Sequence, residues 1–126
     1  MIHPESIRND LVWVLKRRWE GIKIKGDWRT RRVWINEKEL LPGRSQKIAN
    51  HSPDGFNWGY GGSGPAQLAL AILLRFLSNH EALSRYQQFK WDVIATLPQS
   101  DFEIEVDPKN IGGKNAQETK EPTLQK

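Results

Sequence analysis

The chain has no cysteine and a single methionine among its 126 residues. Without thiols, neither a disulfide framework nor a thiolate metal site can form, and a reducing cytoplasm is the expected compartment. Long hydrophobic runs are also missing. The longest, residues 69–74, is far shorter than the roughly 20 residues that span a bilayer, so no membrane partner is expected. The opening MIHPESIRND lacks the apolar centre of a secretory signal. His3, His51 and His80 have no metal-ligand spacing. No cofactor and no metal are therefore expected.

Length suits one domain. Hydrophobic residues make up 37% and charged residues 27%, the balance of a globular chain. Charge is uneven. Residues 1–50 hold 12 Lys and Arg against 6 Asp and Glu, and residues 51–126 hold 7 against 9. The sequence pI is about 9.5, high enough to raise a nucleic-acid partner, DNA or RNA.

Residues 5–19 read as a first helix, with Ile7, Leu11, Leu15 and Trp19 at every fourth position. Lys16, Arg17 and Arg18 fall in its last turn, where cations suit the helix dipole. Residues 22–40 alternate instead: Ile22 and Ile24 against Lys23 and Lys25, then Val33 and Ile35 against Arg32 and Trp34. This predicts a two- or three-stranded antiparallel meander turning near Asn36. LLPGRSQKIAN, residues 40–50, reads as loop, with Pro42-Gly43 as the turn signal.

A second helix opens at Gly64-Pro65, with Ser63 or Gly64 as cap. Between Ala66 and Leu77 only Gln67 and Arg75 are polar, so this helix belongs at the centre of the domain. Ser78 to Glu81 fit a capping box and start a third helix, with Ala82, Tyr86, Phe89, Val93 and Leu97 as its buried stripe and Pro98 as its stop. DFEIEVD, residues 101–107, alternates strictly and reads as a strand that joins the meander's edge. The expected fold is α+β: a small antiparallel sheet, meander plus C-terminal strand, packed on a central apolar helix and two further helices. Residues 1–20 would be a helix packed on a compact domain of residues 21–111, and residues 112–126 a disordered polar tail.

Residues 51–64, HSPDGFNWGYGGSG, tempt a nucleotide-binding reading. Gly59 to Gly64 match the G-x-G-x-x-G spacing, but no buried strand precedes them and no βαβ unit follows. As a phosphate-binding loop they place Pro65 where the lysine belongs, and a nucleophile elbow would need glycine at that same position. What survives is a helix N-terminus that could hold a small anion, such as a nucleotide, at Gly61, Gly62, Ser63 and Gly64. His51 would lie alongside, with Trp58 or Tyr60 stacking. The structural alternative is a plug: Phe56, Trp58 and Tyr60 alternate, so an extended segment drops one side of them into the core. His51, Ser63 and Asp54 show no triad pattern, and no motif completes a catalytic set.

The stronger lead is basic and aromatic. Lys16, Arg17, Arg18, Lys23, Lys25, Arg29, Arg31 and Arg32 interleave with Trp13, Trp19, Trp28 and Trp34. Cations neutralise phosphates and indoles stack on unpaired bases. Trp28, in a turn, is the indole expected to be exposed. Against this, arginines can cover tryptophan faces within the protein. The leading expectation is a non-enzymatic protein that contacts nucleic acid through this surface. The alternatives are the anionic-ligand loop and a protein-interaction module or inhibitor acting on a host or phage protein.

HSPDGFNWGYGGSGPAQLALAILL, with the preceding VWINEKELLP and the following YQQFKWDVIATLP, resembles domain of unknown function 6166, found in small prokaryotic and phage-associated proteins. The resemblance covers roughly residues 21–98. It implies a compact α+β domain with a hairpin, a central helix and a second helix, in a phage, plasmid or defence context. It implies no activity, cofactor or catalytic residue. Residues 1–20 look like an addition to the family's pattern.

Overall fold

A computed structural model describes residues 21–108 and 111. The expected N-terminal helix, with Lys16, Arg17 and Arg18, and the expected C-terminal tail lie outside these residues. Four strands form one antiparallel sheet: β1 (Ile22–Asp27), β2 (Arg32–Ile35), β3 (Lys38–Leu40) and β4 (Phe102–Val106). Their order is β3-β2-β1-β4. Alternation dictates the two faces. Ile22, Ile24, Val33, Ile35, Leu40, Phe102 and Val106 are buried with Ile104 packed beside them, while Lys23, Lys25, Trp34, Glu39, Glu103 and Glu105 alternate with them on the outer face.

The turns fix the register. Asn36 and Glu37 both have positive φ, 48° and 73°, the left-handed pair of a tight two-residue hairpin. Asn36 also ties this hairpin to β1: its N–H donates to Lys23 O (2.8 Å), and its Oδ1 accepts from Lys23 N–H (2.9 Å). The β1–β2 turn is closed by Arg31 N–H donating to Asp27 O at 2.7 Å. The Asp27 carboxylate accepts from both the amide and the hydroxyl of Thr30. These bonds hold its pKa below the ordinary value, the Thr30 side-chain bond contributing most.

Three α-helices follow: α1 (Gly43–Ile48), α2 (Ser63–Leu74) and α3 (Asn79–Asp92), with a 3₁₀ turn at Ile94–Thr96 before β4. The segment expected as loop around Pro42 therefore holds α1. It is six residues long and starts at a glycine, so it shows no apolar period. Helix α2 has its N-cap at Gly62, one residue before the first of the expected caps, Ser63 or Gly64, and with no side-chain cap bond. All of its residues from Gly64 to Leu74 are buried, as its composition requires. Helix α3 has the expected cap, Ser78 Oγ accepting from Glu81 N–H at 3.1 Å. It stops at Asp92, six residues before Pro98.

Gln67 explains how a polar residue sits inside α2. It is fully buried and fully bonded. Its Oε1 accepts from His51 N–H (2.7 Å) and Ser52 N–H (2.9 Å), and its Nε2 donates to Ser45 Oγ (2.9 Å) and Ala49 O (3.1 Å). One side chain thereby fixes α1 and the start of the glycine-rich loop to the central helix. A buried amide with every partner present avoids the desolvation cost of an unpaired one. Sheet and helices share one core cluster. Among the described residues no helix is long and apolar enough to cross a membrane.

Candidate functional site

The glycine-rich loop crosses the end of the sheet and enters α2. Phe56 and Trp58 go inward. The Trp58 ring is 0% exposed, and its indole N–H donates to Ser100 O at 2.9 Å. Trp58 is therefore unable to stack on a ligand; it meets Phe102 and Trp28 edge to face, at 4.8 and 5.6 Å between centroids. Trp28 is half-buried, contrary to its expected exposure. Its N–H donates to Asp101 Oδ1 at 2.7 Å, and Arg31 covers its face, guanidinium carbon 3.5 Å from the ring centroid. Arg31 is held there by Trp28 O and by Asn57 Oδ1, to which its Nε donates at 3.0 Å. The cation and the indole satisfy each other inside the fold.

The other described cations of the basic-aromatic set are shared out among carboxylates. Lys23 pairs with Glu103 at 3.6 Å and Lys25 with Glu37 at 4.0 Å. Arg32 grips Glu39 with two bonds of 2.8 and 2.9 Å and lies 5.1 Å from the Trp34 ring. That fork lowers the Glu39 pKa and raises that of Arg32. Cross-strand register sets Glu39 beside Trp34, Trp34 beside Lys25, and Lys25 beside Glu103 in one row, with Lys23 beside Glu105. Arg29 is exposed, and its charge acts on the Asp27 carboxylate, helping to lower the pKa of that group. Residues 21–108 hold 11 Lys and Arg against 10 Asp and Glu.

The glycines serve the chain's own side chains. A Cβ on Gly61 would lie 2.2 Å from the Trp91 ring, one on Gly62 2.4 Å from the Tyr60 ring, and one on Gly64 2.5 Å from Asn57 Cβ. Two aromatic rings thus rest against consecutive glycines at the mouth of α2. Both rings are open to solvent, Tyr60 at 43% and Trp91 at 56%. Lys90 is nearly buried at 7%, its ammonium 4.3 Å from the Trp91 ring centroid and 3.4 Å from Gly61 O. Asp92 accepts from Gln88 Nε2 at 2.8 Å. Leu83, 42% exposed, lies eight residues back from Trp91 along α3, about 12 Å at 1.5 Å per residue.

Ser63 is exposed beside these rings. His51 is not: its Nε2 shares a 2.7 Å hydrogen bond with Tyr86 OH. Asp54 lies exposed in a turn closed by Gly55 N–H donating to Ser52 O. The ligand-loop set is thus split between core (Trp58, Gly64), a Tyr86-bonded histidine and an open aromatic surface. Sequence reasoning missed Trp91. The signal was its place off the apolar stripe of α3, two residues beyond Phe89, where a tryptophan meets solvent.

A family model for a family of unknown function, DUF6166, matches residues 24–111. That is more than half of the chain, which belongs to this family. No curated protein and no solved structure matches it.

Proposed function

We propose that this member of the DUF6166 family is a non-enzymatic binding protein whose partner is another protein, held on the surface of Tyr60, Gly61, Gly62 and Trp91. The observation that carries the reading is the pair of solvent-open aromatic rings on a diglycine floor. Tyrosine and tryptophan bury large area at low entropic cost and dominate protein interfaces. The surface has little for a phosphate: Lys90 is occupied by Gly61 O and the Trp91 ring, and in the first turn of α2 Gly64 is buried and Pro65 has no N–H to offer. A neutral, partly apolar protein surface complements it. The family resemblance and the absence of cysteine favour the cytoplasm of a prokaryote, in a phage, plasmid or defence setting.

A nucleic-acid partner is the second reading, favoured by exposed Arg29 and by the basic residues 16–18. Weighing against it, the outer sheet face carries carboxylates beside its cations, and phosphate binding draws on a local excess of positive charge. Two arms separate the readings. Pull-down from nuclease-treated lysate is compared for the native chain, for Tyr60→Ala with Trp91→Ala, and for Arg29→Ala with Arg17→Ala and Arg18→Ala. Anisotropy with short single- and double-stranded oligonucleotides is measured at low and moderate salt. A captured protein lost only with the aromatic variant supports the proposal. Salt-sensitive oligonucleotide binding, lost only with the arginine variant, overturns it.

A further inference from the structure

The geometry points to a second docking site, at the other end of α2, for the free C-terminus of a peptide ending in leucine or isoleucine. Helix α2 is 12 residues long, which sets this end about 18 Å from the diglycine floor. The site is a cavity of about 240 Å³ between β3, α1 and α2, with Leu40, Leu41, Ala71 and Leu74 as its apolar wall. Leu41 is 66% exposed, so the wall continues to the surface. The volume falls below the roughly 300–1,000 Å³ of pockets for drug-sized ligands. It suits one side chain, not a nucleotide.

Two further features say what that side chain is attached to. Strand β3 is an edge of the sheet. Glu39 and Leu40 are neighbours in an alternating strand, yet both line the cavity, so it runs along the strand's free edge. A peptide laid beside β3 would gain main-chain bonds and send one side chain into the cavity. With only three residues in β3, that peptide segment is short.

The charge at the mouth selects a carboxylate. Arg44 and Arg75 both line it. Arg44 is positioned by donating to Leu74 O at 3.3 Å and Asn79 Oδ1 at 3.2 Å, which leaves its remaining donors available. Arg75 is exposed and has no side-chain partner among the described residues. The one carboxylate at the mouth, Glu39, is already gripped by Arg32. Apolar wall, open strand edge and two cations together match an aliphatic residue that ends in a carboxylate.

Amide-resolved NMR titration tests this. The probes are the hexapeptides Ser-Gly-Thr-Val-Thr-Leu and Ser-Gly-Thr-Val-Thr-Ile, each with a free carboxylate and as the C-terminal amide, and 4-methylpentanoate. The free-acid peptides are expected to move the amides of Leu40, Leu41 and Arg75 at up to millimolar concentration. Amidation, or Arg75→Ala, is expected to weaken binding about ten-fold or more. Ala71→Leu, which fills the cavity, is expected to abolish it, with a thermal melt confirming the fold. Trp91→Ala is expected to leave it unchanged, which keeps this site distinct from the aromatic surface. Absence of shifts, equal binding of the amides, or shifts confined to Tyr60 and Trp91 overturns the assignment. So does 4-methylpentanoate binding as tightly as the peptides, which would make this a site for a small free acid.

Discussion

Replacing Gln67 by leucine removes the polar atoms at the centre of α2 while nearly keeping volume. On hydropathy alone the change completes an apolar helix and should stabilise. The structure predicts the reverse. Four hydrogen bonds are lost, each with a net worth of about 1 kcal/mol. Ser45 is buried, so its hydroxyl loses a partner that water replaces poorly. His51 and Ser52 are only half-buried, so their amides recover part of the loss by hydration. The gain from burying leucine's extra apolar surface offsets about 1 kcal/mol. The sum is a destabilisation of about 2–4 kcal/mol, a large share of the roughly 5–15 kcal/mol that a domain has. Urea unfolding followed by tryptophan fluorescence reads it directly, and the melting temperature should fall by about 10–20 °C. Gln67→Leu with unchanged or raised stability would refute the claim that this amide, and not apolar burial alone, ties α1 and the loop to the core.

Gly59→Ala should cost about 1–3 kcal/mol in the same assay, since φ is +87° and the new Cβ would lie 2.6 Å from Gln99 Cγ and 3.1 Å from Leu97 O. Gly61→Ala should cost less than 1 kcal/mol, because the exposed Trp91 ring can swing away, but it should raise Trp91 quenching by acrylamide and weaken partner capture. The lowered pKa values of Glu39 and Asp27 contribute stability that is present above the ordinary carboxylate range, about pH 4, and lost as pH falls through the lowered values. Thermal melts from pH 7 to pH 2 should therefore show a shallower acid loss for Arg32→Ala with Thr30→Ala than for the native chain.

The sheet was legible because half-buried strands announce themselves. Residues 22–27 and 102–106 alternate, and the second joins the edge of the first as expected. The central helix was legible from its apolar run. Helix α1 was not, because a short helix held by Ser45 and Gln67 leaves no period of its own. The surface chemistry was the least legible. Lys23 is neutralised by Glu103, 80 residues on, and local composition cannot show that two segments share a face. Trp28 looked exposed because its neighbours are charged, yet Arg31 folds back onto its ring. The glycine string resembled a ligand loop because glycine admits any close approach. Here what approaches is Trp91, Tyr60 and Asn57.

Site-specific photo-crosslinking tests the proposed contact surface most directly. A benzophenone side chain is placed at Tyr60, at Leu83 or at Trp34 on the outer sheet face, and each protein is irradiated in nuclease-treated lysate. The account predicts one protein adduct, shared by positions 60 and 83 and absent at 34. An adduct at position 34 alone, or transfer of label to nucleic acid in untreated lysate, would contradict it.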